Sequence, residues 1–271
     1  IMGELDGKIA IVTGGGRMRS IGRSAVLELA RLGADVVITG TNRSPDTFPD
    51  DEKEVAWKGV DSVADEVRSY GRRALTMPLD VTDAAQVEDV ITETVSEFGR
   101  VDILMNNAAY PRGKDRLPML DVPEDVFQRV VDIKITGAFL CTQAAVRQMI
   151  AQGDGGKIVN VSSSAGKRGV PNTLAYNAAN FAIVGMTQSL AAELGPHGIN
   201  VNAVCPGAVD TARMDDIDRL VRWKEMAKNT PIRRNGTPEE VGAFMAYLCT
   251  EAASWITGQS INLNGGTIME H

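Results

Sequence analysis

Cysteine, histidine and aromatic side chains are scarce in this chain, and no long apolar run interrupts it. The three cysteines (Cys141, Cys205, Cys249) are widely separated and odd in number. They form neither a disulfide framework nor a metal-ligand spacing, and read as buried thiols of a reducing compartment. Neither histidine, His197 or His271, has sequence neighbours that suggest catalysis or metal binding. No stretch reads as a signal peptide or reaches membrane-spanning length, so the expected location is cytoplasmic. Ile1, ahead of Met2, is set aside. A basic excess is also missing: 28 Lys+Arg face 35 Asp+Glu, for a formal charge of -7. That balance recommends neither nucleic acid nor an anionic membrane as a partner. At 44% hydrophobic over 271 residues, the chain can still bury a large core.

What is present alternates. Short β-branched runs stand at 8–16, 35–40, 73–81, 101–107, 156–163, 198–206 and 259–266. Helical patterns lie between them at 20–34, 56–71, 83–99, 123–150, 174–195 and 238–250. Strand–helix alternation predicts an α/β fold, a parallel sheet covered on both faces. Residues 41–55, polar and proline-interrupted, read as a surface insertion. With no linker, repeat or low-complexity segment, one domain is the simplest account.

Gly14, Gly15 and Gly16 sit where the first strand turns into the first helix. Glycine there lets backbone approach a pyrophosphate, and the helix N-terminus offers unpaired N–H groups and a positive dipole end. Further along come "LDVTD" (79–83), "NNAA" (106–109), "VNVSSSAG" (159–166), Tyr176, "CPGAVDT" (205–211) and "ITGQSINLNGG" (256–266). Taken in this order with "TGGGRMRSIG" (13–22), they resemble the short-chain dehydrogenase/reductase family from end to end. The resemblance implies a doubly wound Rossmann sheet, a nicotinamide cofactor and a homotetramer whose faces are the helices at 123–150 and 174–195. Two departures stand out. Six residues separate Gly14 from Ile21, with Ser20 in place of a family glycine, a longer loop similar to that of enoyl reductases. The family's "NNAG" is here "NNAA".

Cofactor choice follows from charge. An acidic residue ending the second strand would accept from the ribose hydroxyls and repel a 2′-phosphate. This chain has Gly40 there, then Thr41, Asn42 and Arg43. Arg17, Arg19 and Arg43 are close enough along the chain to bind a phosphate, so NADP is favoured over NAD. By resemblance, Asp80 and Val81 meet the adenine edge, Asn107 and Ala108 run along the cofactor, and Val209 and Thr211 orient the nicotinamide.

The family's working group is a Ser, a Tyr, a Lys four residues after the Tyr, and an Asn from the preceding long helix. Ser163 precedes Tyr176 by the family's spacing of thirteen residues. Where the lysine belongs stands Asn180. Where the asparagine belongs, three residues before Gly137, stands Lys134. Tyrosine's ordinary pKa of about 10 is too high for proton exchange near neutrality, and a nearby ammonium lowers it by about one to three units. One amine and one amide exchanged between two positions is expected to leave a working tetrad. Lys134 would supply the charge, Asn180 the hydrogen bonds to ribose or to a relay water, Tyr176 the acid/base and Ser163 a hydrogen bond to the substrate oxygen.

The expected activity is hydride transfer between NADP(H) and a small carbonyl or secondary alcohol. The alternatives are a dinucleotide-binding pseudoenzyme and an NAD-linked alcohol dehydrogenase. Residues 209–236 read as an amphipathic substrate lid carrying Met214, Ile217, Leu220, Val221 and Trp223. Tyr110, Pro111 and Arg112 are candidates for the pocket mouth. Arg112, Lys114, Lys167, Arg168 and Arg213 would attract an anionic substrate if they face the pocket; the plainer reading is that these loop charges are solvated.

Overall fold

A computed structural model of the chain describes residues 3–218 and 220–270. Arg219 and His271, like Ile1 and Met2, lie outside them. The chain begins with β1 (Ile9–Thr13), α1 (Ile21–Arg31), β2 (Asp35–Gly40), α2 (Asp50–Glu54), α3 (Val60–Ser69) and β3 (Ala74–Pro78). It continues through α4 (Ala84–Phe98), β4 (Ile103–Asn106), α5 (Glu124–Val131), a π-helical turn at Asp132–Thr136, α6 (Gly137–Gln152) and β5 (Gly156–Val161). α7 (Leu174–Leu194), β6 (Ile199–Pro206), α8 (Arg222–Asn229), α9 (Pro238–Tyr247) and β7 (Ser260–Leu263) complete it.

Among the described residues seven strands form one parallel sheet, ordered β3-β2-β1-β4-β5-β6-β7. Side chains alternate across it, as a two-residue strand period requires. Ala10, Val12, Val36 and Ile38 pack against α1, α3 and α9 through Val26, Leu29, Val63, Val67 and Met245. Ile11, Val37, Leu104 and Ile158 face the other way, against α4, α6 and α7 through Val90, Ala145, Met149 and Leu194. Both faces are covered, so the strands are apolar throughout, and this is the doubly wound α/β fold expected from the alternation. All three cysteines are free and buried; burial pushes the Cys141 and Cys249 thiols up to about 12.

Two local features depart from the pattern read in the sequence. The long helix expected over 123–150 is interrupted by the π-helical turn, which carries Lys134. A π-turn inserts one residue without changing the hydrophobic period enough to be read, and such turns gather at functional sites. The insertion at 41–55 is not wholly on the surface either. It folds into a short turn (Pro45–Thr47) and α2, whose first turn is acidic and whose Glu52 is only 1% exposed.

A buried polar ladder fixes the carboxyl ends of the central strands. Asn106 Nδ2 donates to Asn160 Oδ1 (2.9 Å) and to Thr142 Oγ1 (3.0 Å), and Asn160 Nδ2 donates to Thr187 Oγ1 (3.0 Å). It ties β4 and β5 to α6 and α7, the helices flanking the candidate site residues. On the opposite face α1 and α9 approach closely at Gly242: a Cβ there would lie 2.5 Å from Ser24 C and 2.7 Å from Ala25 N. Backbone cannot yield as a flexible side chain can. Gly242→Ala is therefore expected to destabilise the protein by about 1–3 kcal/mol despite alanine's better helix propensity, read from the urea midpoint at unchanged slope.

Candidate active site

Strand order reverses between β1 and β4, and in such sheets ligands bind in the crevice beyond the carboxyl ends of the strands at that point. The loop between β1 and α1 lines the crevice. Gly14 adopts φ +73°, and a Cβ on it would stand 3.1 Å from Ala108 Cα. Ser20, read as a replaced family glycine, caps α1 by accepting from Arg23 N (3.1 Å), and Ile21 opens the helix. Asn107 uses its amide on the loop itself, donating to Thr13 O (2.9 Å) and Gly14 O (3.0 Å). Asn107 N and Ala108 N donate to Thr13 Oγ1. The result is a pinned turn, free of side chains at Gly14, Gly15 and Gly16, that leads to a helix N-terminus and fits a pyrophosphate.

The insertion closes over this loop. Glu52 accepts from Arg17 Nε and from Met18 N, both at 2.9 Å, and Trp57 Nε1 donates to Gly16 O (2.8 Å). Arg19 pairs with Asp51 (2.7 Å) and Asp215 (2.5 Å), and these partners raise its pKa further. Of the three arginines read as phosphate ligands, Arg17 and Arg19 thus carry carboxylates of their own. Thr41, Asn42 and Arg43 are exposed just beyond β2. Asp80 pairs with Arg129 (2.7 Å) and accepts from Thr82; burial opposes ionisation, yet these bonds hold it below the usual carboxylate range. Val81 packs where a Cβ on Gly137 would stand, 2.5 Å from Val81 Cγ2. Val209 and Thr211 are buried after β6.

Beyond β5, Ser163 caps the turn Ser164–Gly166, its Oγ accepting from Ala165 N (3.1 Å). Tyr176 stands in the first turn of α7. Asn177 ties that turn to the serine segment by donating to Ala165 O and Arg168 O, both at 2.7 Å. Asn180 is 1% exposed; its Nδ2 donates to Tyr176 O (2.8 Å), and its Oδ1 is buried without a hydrogen-bond partner. Lys134 is 7% exposed and its Nζ donates to Val161 O at the end of β5, two residues before Ser163. A small cavity beside it is bounded by Thr13, Asn106, Ala108 and Ile183. Burial, reinforced by Arg213, brings the Lys134 ammonium down to about 7.

The ring of Tyr176 has two cationic partners: Arg213, which the sequence offered only as a loop cation for an anionic substrate, and Arg116, which sequence reasoning missed. Arg116 Cζ lies 3.8 Å from its centroid and Arg213 Cζ 5.2 Å. Arg116 comes from the loop after β4, paired with the fully buried Asp115 (3.0 Å). No periodicity marks either residue, because their approach depends on how two distant loops fold. Among the other cations read as substrate attractors, Arg112 pairs with Asp216, Lys167 pairs with Glu270 (2.7 Å), and Arg168 donates to Thr267 O.

A pinned glycine turn at the strand-order reversal, followed by serine and tyrosine beyond β5, is matched by comparison with known proteins. A family model described as enoyl-(acyl carrier protein) reductase matches residues 14–267. The chain belongs to the short-chain dehydrogenase/reductase family. It is 35% identical over 269 residues to the 3-oxoacyl-[acyl-carrier-protein] reductase of Synechocystis, covering 99% of this chain and 100% of that one. It is 36% identical to the cyclohexanol dehydrogenase of Rhodococcus, covering 97% and 96%. The crystal structure of acetoin dehydrogenase from Enterobacter cloacae superposes with a TM-score of 0.81 at 36% identity, covering 96% of this chain and 95% of that one. A short-chain type dehydrogenase/reductase from Mycobacterium marinum gives 0.84 at 33%, covering 98% and 97%. This short-chain dehydrogenase/reductase is therefore an oxidoreductase of a family that uses NAD(P). Among its described residues no helix is long and apolar enough to cross a membrane.

The buried amine makes stability depend on pH. Between about 7 and the ordinary lysine value of 10.5, the unfolded chain binds a proton at Lys134 that the folded protein does not. Stability therefore falls as pH drops through that interval and the penalty is complete below it. Lys134→Met, uncharged and of similar length, is expected to stabilise the ligand-free protein by on the order of a few kcal/mol at pH 7 and by less at pH 9.5. Urea unfolding at the two pH values measures it, and an equal gain at both would contradict a depressed ammonium.

Proposed function

We propose that the protein moves hydride between NADP(H) and a small carbonyl or secondary alcohol, with Tyr176 as the acid/base. One observation supports this reading: an amine, Lys134, and an amide, Asn180, are both buried next to the serine–tyrosine segment, as an exchanged pair would require. When bound, the nicotinamide supplies or accepts the hydride.

Tyr176 gives its phenolic proton to the substrate oxygen on reduction and takes it back on oxidation. Ser163 accepts from Ala165 N and so keeps its own O–H free to donate to that oxygen. Lys134, whose ammonium titrates near neutrality, holds positive charge near the developing phenolate and passes protons on. Asn180 offers Oδ1, a buried acceptor without a protein donor, to a ribose hydroxyl or a relay water. Lys134→Ala is expected to lower kcat about 100-fold or more and Asn180→Ala about tenfold. The double exchange Lys134→Asn with Asn180→Lys should recover most of the loss. Full activity in Lys134→Ala, with no gain from the double exchange, would end the exchanged-tetrad reading. Absence of turnover across a carbonyl panel, with NADPH bound, would favour the pseudoenzyme.

For the cofactor, the exposed Thr41, Asn42 and Arg43 beyond β2 support NADP, since no carboxylate ends that strand. A second reading, NAD, draws on the pairing of Arg17 with Glu52 and of Arg19 with Asp51, which leaves fewer cations for a 2′-phosphate. Arg43→Ala should raise the KM for NADPH by roughly 10- to 100-fold while changing that for NADH little; equal effects on both would favour NAD. Exposed Phe139 and Ile150 on α6, with Leu174 and Phe181 on α7, support the homotetramer.

A further inference from the structure

We propose that the substrate is an anion, an oxo acid or the matching hydroxy acid, whose carboxylate is held by Arg213 with Arg116 beside it, above the ring of Tyr176. The proposal rests on Tyr176 as the acid/base and adds the substrate class to that reading.

Two guanidiniums, of Arg116 and Arg213, lie over the Tyr176 ring, at 3.8 and 5.2 Å from its centroid. Burial lowers the pKa of Arg213; the charges of Arg116 and Arg112 press it the same way, and Tyr176 and Asp115 oppose them without reversing the shift. The carboxylates that accompany these cations are already taken. Asp115 accepts from Arg116 and from Gly113 N, Asp216 pairs with Arg112, and Asp215 pairs with Arg19. Among the described residues none forms an ion pair with Arg213, nor with Lys134. A half-buried guanidinium beside other cations, without a carboxylate, is destabilising until an anion arrives. A substrate carboxylate meets the fork in two parallel hydrogen bonds.

Arg213 is also aimed. Its turn (Ala212–Met214) is latched on both sides: Ala212 N donates to Arg19 O (2.9 Å), Asp215 pairs with Arg19, and Asp216 pairs with Arg112. Those two ion pairs tie the segment after β6 to the glycine loop and to the loop after β4. The backbone around Arg213 is thereby held while its own charge is left for a ligand. In a chain of net charge -7, this local positive field is a focus for a small anion.

The test compares each acid with the diketone in which an acetyl group replaces the carboxylate: 2-oxobutanoate against pentane-2,3-dione, and 3-oxobutanoate against pentane-2,4-dione. The acids should be favoured by roughly 30-fold or more in kcat/KM, mainly through KM. That ratio should collapse towards one in Arg213→Gln and recover in part in Arg213→Lys, which keeps charge but loses the fork. Independently of turnover, malonate titrated calorimetrically into the ligand-free protein should bind, and bind at least about tenfold more weakly in Arg213→Gln. Preference for the diketones, an unchanged ratio in Arg213→Gln, or equal malonate affinity in both proteins would overturn the site. A matching loss of NADP+ affinity in Arg213→Gln would assign the guanidinium to a cofactor phosphate and likewise overturn it. Arg213-dependent malonate binding without turnover of any of the four compounds would support the anion site while removing the hydride-transfer reading.

Discussion

Desolvation of positive charge is the constraint around which the carboxyl edge of this sheet is organised. An ammonium is easily kept in water on its flexible stem, yet Lys134 is drawn under cover and donates to the last carbonyl of β5. Holding it there lowers its pKa, and Arg213 adds to the effect. Most other cations of the region are matched to carboxylates. The contrast between matched and unmatched charge distinguishes the functional pocket from its supporting walls.

Those walls are built from distant pieces of chain. The 41–55 insertion brings Glu52 against the glycine loop, where it holds Arg17 and a backbone N–H, while Trp57 fastens Gly16. Asn107 fastens the same loop from the other side. A glycine-rich turn would otherwise sample many conformations, so these contacts reduce the entropy that ligand binding must remove. Across the crevice, Asn177 and the asparagine–threonine ladder hold the serine and tyrosine segments in register.

Much of this was legible in the residues. Strands showed as β-branched runs because both sheet faces are covered, and the glycine turn showed because backbone without Cβ is needed at that bend. Tyr176, Ser163, Lys134 and Asn180 stood out because their spacing could be set beside a family pattern. The π-helical turn at Asp132–Thr136 did not show, since it shifts the helix face without a proline or glycine to announce it. Nor did the burial of Glu52: acidic residues in a polar, proline-containing stretch look solvated until their arginine partners are seen.

By itself the sequence determined the alternation of elements, the parallel sheet and the presence of an amine at position 134 and an amide at position 180. Each of these depends on local propensity or on order along the chain. Only the tertiary structure decided which charges are neutralised, where the lysine nitrogen ends, and that Arg116 and Arg213 meet over the tyrosine ring. Coulomb energy and desolvation depend on distance through space, and residues nearly a hundred positions apart carry no mark in the chain of how closely folding will bring them together.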